Sequence, residues 1–149
     1  MDKENILPEI PTEKIFKPIG IYIATFFGGP LVAAYLISAN YKAFKEPRNQ
    51  IKTWVIGLLG TVLIVAFSTT INARATRQIP GYLFPLIYSV ITYSVVNLAQ
   101  KQKISAFISA GGEFFPSTRI LVITIIGFII TVFGLMIVAN IFDFLYQFA

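Results

Sequence analysis

The chain has 149 residues, 56% of them in the hydrophobic set and only 13% charged, with a formal net charge of +5; ordinary soluble domains are about 25% charged. A soluble fold of this size buries only about 68–70% of the surface its unfolded chain exposes, too little interior for so much apolar side chain. With no cysteine and no histidine, the composition excludes disulfides, thiolate metal sites and thiol nucleophiles, and removes the commonest metal ligand and the usual acid–base group near neutral pH.

Residues Met1 to Pro18 mix acids and bases with Pro8, Pro11 and Pro18 and read as a flexible N-terminal tail. Everything after it, 19–149, reads as one transmembrane helical domain. The first apolar stretch is Ile19 to Ala39. About 20 residues rising 1.5 Å each cover a hydrocarbon core of about 30 Å. It is longer than a signal-peptide core and lacks a short basic leader, so it is expected to stay as an anchor. Gly28, Gly29 and Pro30 sit at its centre. Proline removes a backbone donor and the glycines add freedom, which predicts a kink or local unwinding. A re-entrant hairpin turning at the same three residues is the alternative, and it would leave three true spans. Gly20, Ala24 and Gly28 recur at the four-residue spacing that lets helix backbones approach closely.

A basic loop follows, Asn40 to Thr53, with Lys42, Lys45, Arg48 and Lys52 against Glu46. The second span is placed at Trp54 to Asn72, and Arg74 and Arg77 form a short turn before Pro80-Gly81. The third span, Tyr82 to Ala99, carries Ser89, Thr92, Tyr93 and Asn97 on one helical face. Lipid offers these groups nothing, so the face should turn to other helices, with Ser68, Thr69, Thr70 and Asn72 as partners, or line a pore. In the third loop, Ile104, Phe107 and Ile108 oppose Lys101, Ser105 and Ser109, and Gly111-Gly112 supplies a stop. This reads as a short interfacial helix with Lys101 and Lys103 near lipid headgroups, or as a plain continuation of the third span. The last span is Ile120 to Phe142. Gly57, Gly60, Gly127 and Gly134 are further close-approach positions, and Tyr41, Trp54, Tyr82 and Tyr146 stand near span ends, where aromatic residues anchor.

The fold class expected is therefore all-α, an integral membrane bundle of about four transmembrane helices at about 19–39, 54–72, 82–99 and 120–142. None of these spans contains Asp, Glu, Lys or Arg, although such residues mark ion pathways and proton relays; energised transport is disfavoured. The carboxylates Asp2, Glu4, Glu9, Glu13, Glu46, Glu113 and Asp143 are scattered, so no catalytic pair, metal site or cofactor is expected. Gly111-Gly112-Glu113 lacks the run that makes a phosphate loop. The basic residues fall between apolar segments, which fits topology signals and the lipid bilayer as partner rather than nucleic acid. If all four segments cross, Lys42, Lys45, Arg48, Lys52, Lys101, Lys103 and Arg119 share one side, and the positive-inside rule places both termini outside the cytoplasm.

The stretch Ala24-Thr-Phe-Phe-Gly-Gly-Pro-Leu-Val-Ala-Ala-Tyr-Leu-Ile-Ser-Ala-Asn-Tyr-Lys-Ala-Phe44, with Ile79-Pro80, Ala110-Gly111-Gly112 and Arg119, resembles a group of small bacterial four-span membrane proteins to which no activity is assigned. The resemblance implies a bacterial inner (plasma) membrane and carries over no functional residues. The expected role is an accessory or scaffold subunit of a membrane complex and not an enzyme, with a membrane-protein partner or a homo-oligomer. The alternative is a homo-oligomeric channel or passive transporter lined by Ser89, Tyr93 and Asn97.

Overall fold

The computed structural model of the chain describes residues 11–70 and 80–147, leaving aside the side chains at 65–70, 135, 138–139, 142–143 and 145–147. The first ten residues of the tail, Asn72, the Arg74 and Arg77 turn, and the side chains of Ser68, Thr69, Thr70 and Tyr146 lie outside the described residues. The elements in chain order are β1 (Lys14–Ile15), α1 (Pro18–Ala43), α2 (Pro47–Thr70), α3 (Leu83–Ser109), β2 (Glu113–Phe114) and α4 (Ser117–Gln147). The described fold is all-helical apart from a two-residue parallel bridge that pairs Lys14 with Glu113 and Ile15 with Phe114. By length and composition, Pro18–Ala43, Leu83–Ser109 and Ser117–Gly134 could each cross a membrane. The outer helices carry apolar side chains such as Ile56, Leu63, Leu98, Ile126 and Phe133 on the outside of the bundle, as segments facing lipid must.

Length and composition do not decide what α1 does, because its backbone breaks. Gly29 sits at φ 80°, ψ −177°, a region essentially reserved for glycine. An unbroken helix of 26 residues would hold its ends about 39 Å apart. Instead the Phe16 N–H donates to the Asn40 side chain at 2.7 Å. The halves 18–28 and 30–43 therefore fold back as a helical hairpin, and both ends of α1 lie at the same end of the bundle. The expected first span, 19–39, does not run through. Pro30 opens the second half, where a missing N–H costs nothing. The Gly28 carbonyl, stranded at the end of the first half, accepts from the Thr131 hydroxyl at 3.1 Å.

The hairpin is the centre of the molecule, with α2, α3 and α4 each packed on it. The main core joins Phe16, Ile21, Ala24, Val32, Leu36 and Val96. Small residues make these contacts close. A side chain at Gly20 would strike Ile120, one at Gly57 would strike Ala34, and one at Gly127 would strike Val32. Gly60 and Gly134 differ, since no described atom lies within 4 Å of a side chain built there.

The structure also revises the third loop. Helix α3 runs unbroken to Ser109, so there is no separate interfacial helix. Ile104 and Phe107 turn inward onto Ile15, with Phe44 and Phe114 packed beside them; a protein surface, not headgroups, receives that face. The helix stops where Gly112 and Gly111 donate to Phe107 and Ile108, both at 3.0 Å, with Gly111 at φ 89°, a Schellman ending.

Candidate functional site

The hairpin is held shut by one fully buried amide pair. Asn40 accepts from the Phe16 N–H and donates Nδ2 to the Phe16 carbonyl at 3.0 Å, pairing with the backbone as a neighbouring strand would. The same Nδ2 reaches Gln100 Oε1 at 3.2 Å, and Gln100 Nε2 donates to the Ile37 carbonyl at 3.2 Å. Both side chains are fully buried. The segment they hold continues into β1, where the Ile15 carbonyl accepts from Phe115 N–H at 2.8 Å and the Phe16 ring lies 4.5 Å from that of Phe115. One polar cluster thus ties both halves of α1 to α3 and to the loop before α4.

Around this closure runs a rim of charge. Lys14 pairs with Glu113, Lys42 approaches Glu13 at 4.0 Å, and Lys103 pairs with Glu46. The Lys103 hydrogen bond, with another from Asn49, holds the Glu46 carboxyl below its ordinary value, and Lys14 does the same for Glu113. The Lys103 ammonium also lies 5.2 Å from the Tyr41 ring centre. Arg119 stacks on Phe115 at 4.0 Å and makes no ion pair among the described residues.

Between α2 and α4, over the second half of α1, the rim opens into a cleft of two parts. The upper chamber, about 690 Å³, is lined by Glu13, Lys14, Lys42, Gln50 and Arg119 among others. The lower, about 370 Å³, is walled by Leu31, Val32, Ile123, Ile126 and Ile130. Tyr35 and Trp54 line both, their rings 6.5 Å apart and edge-on. A third space of about 390 Å³ lies between α1, α2 and α3, apolar along most of its length.

The sequence-derived residues fall in three places. Gly28, Gly29 and Pro30 form the hairpin tip. The polar face of α3 is largely consumed by its own helix, with Ser89 Oγ donating to the Leu86 carbonyl at 2.9 Å and Asn97 Nδ2 to the Tyr93 carbonyl at 3.1 Å. Tyr93 meets Tyr22 edge-to-face at 5.7 Å, and Thr92 lines the third space. Of the two lysines placed at headgroups, Lys101 is exposed while Lys103 turns to Glu46. The residues that sequence reasoning missed are Asn40 and Gln100, each one position beyond an expected span, and the Tyr35–Trp54 border of the cleft. Comparison with family models, curated proteins and solved structures finds no match for the chain.

Proposed function

We propose that this protein is a non-catalytic accessory or scaffold subunit of a complex in a bacterial inner membrane. Helices α2, α3 and α4 cross the bilayer around a re-entrant α1. The observation that carries this reading is a glycine of α4 left over from internal packing. Gly57 and Gly127 are taken up by Ala34 and Val32 and Gly60 lines the third space between α1, α2 and α3, whereas the exposed Gly134 meets no described atom. Small residues facing outward on a spanning helix are where another helix backbone can approach.

The basic end faces the cytoplasm in this reading. Apart from Lys3 near the chain start, the Lys and Arg residues divide unevenly: Lys14, Lys17, Lys42, Lys45, Arg48, Lys52, Lys101, Lys103 and Arg119 belong to that end, against Arg74 and Arg77 in the α2–α3 connection. The positive-inside rule then orients the bundle with the start of α1 inside and the end of α4 outside. This reverses the inner-outer assignment that four crossings would give the N-terminus.

Gly134→Leu should release a co-purifying membrane protein, or a second copy, in mild detergent, without lowering the thermal unfolding midpoint. Gly57→Leu and Gly127→Leu should instead unfold the chain, since each forces a side chain into α1. A wild-type chain that purifies from its native membrane as a lone monomer would defeat the scaffold reading.

A further inference from the structure

The cleft between α2 and α4 has the layout of an amphiphile. Its upper chamber brings together Lys14, Lys42 and Arg119. Two carboxylates answer them, Glu113 on Lys14 and Glu13 near Lys42, so three positive charges against two negative leave one uncompensated. Arg119 supplies it, with its guanidinium carbon 4.0 Å over the Phe115 ring and no ion pair to a carboxylate among the described residues. A planar fork of donors held this way suits a phosphate.

Below that level the chemistry changes over one side chain. Tyr35 and Trp54 line both chambers, amphipathic rings of the kind that settle at the headgroup boundary. Beneath them the wall is aliphatic, ending at Ile130 beside the hairpin tip. From Arg119 to Ile130 along α4 is about 16 Å, which matches one leaflet, half of a hydrocarbon core of about 30 Å. Ile126 and Ile130 are more than half exposed, so the lower chamber is open to the bilayer along its side. We propose that this cleft binds one phospholipid with a singly anionic headgroup, taken from the leaflet on the basic side. The phosphate sits at Arg119 and Lys42, and an acyl chain lies along Ile123, Ile126 and Ile130. The proposal goes beyond the scaffold reading and does not depend on the identity of any protein partner.

Trp54 is the only tryptophan in the chain, and it stands on the cleft's border. The full chain is reconstituted into phosphatidylcholine vesicles, and Trp54 fluorescence is titrated with phosphatidylglycerol or phosphatidylcholine carrying the same brominated acyl chains. Brominated phosphatidylglycerol should quench at a several-fold lower mole fraction. The preference should vanish in the double variant Arg119→Gln, Lys42→Gln and persist in Lys101→Gln, whose charge lies off the cleft. Equal quenching by the two lipids in the wild-type chain overturns the site without need of any variant. A preference that survives the double variant, or that falls as far in Lys101→Gln, assigns the effect to diffuse surface potential and overturns it equally.

Discussion

Replacing Asn40 by leucine would change its volume little while stripping three hydrogen bonds from a fully buried position. The Phe16 N–H and carbonyl would both lose their partner, at about 1–3 kcal/mol for each buried group left unsatisfied. Gln100→Leu should cost less, because the Ile37 carbonyl it serves lies inside α1, where a helical amide also reaches it. Thermal unfolding in detergent should therefore rank Asn40→Leu well below Gln100→Leu, and equal losses would contradict the assignment of closure to Asn40. Neither residue announces itself in the sequence. Each follows directly on an apolar stretch, at Ala39 and Ala99, where a polar side chain reads as the edge of a span. They are 60 positions apart, and no periodicity connects them. What the sequence does supply at this scale is the lack of ionisable groups in the spans and the clustering of bases between them.

At the scale of elements, α1 is where sequence and structure separate most clearly. Gly28-Gly29-Pro30 marks the point of breakage, but the same three residues serve a kink and a reversal. Long-range contacts decide between the two, with Asn40 closing the open end and Thr131 capping the tip; nothing near residue 29 encodes either. The third loop shows the converse. The pattern of Ile104 and Phe107 is a helical face as read, but its partner is Ile15, almost ninety residues upstream, not the membrane surface. For the tip, the backbone of Gly29 gives a direct expectation. Gly29→Ala puts a Cβ into a conformation that costs about 1–3 kcal/mol and should lower the unfolding midpoint in detergent. Gly134→Ala, in open space within α4, should gain up to about 1 kcal/mol of helix propensity. Alanine tolerated equally at both positions would mean that α1 does not need its reversal at Gly29.

For the whole molecule, the hairpin changes the parity of the chain. With its ends tied together, α1 leaves from and returns to one end of the bundle; on the proposed layout α2, α3 and α4 then make an odd number of passages and the two termini fall on opposite sides. The charge distribution sharpens with this change. Counted over four crossings, Lys14 and Lys17 oppose Lys42 and Lys103; counted over three, they join them, and the contrast with Arg74 and Arg77 becomes steep. Membrane-impermeant thiol labelling separates the two layouts because the chain has no cysteine of its own. Thr12, Gly81 and Ser109 are all exposed, so a single cysteine at each should report its side. With α1 turned back, Thr12→Cys and Ser109→Cys react from the same, cytoplasmic side and Gly81→Cys from the other. If all four helices cross, Thr12→Cys instead sorts with Gly81→Cys, and that result would overturn both the three-span layout and the orientation built on it.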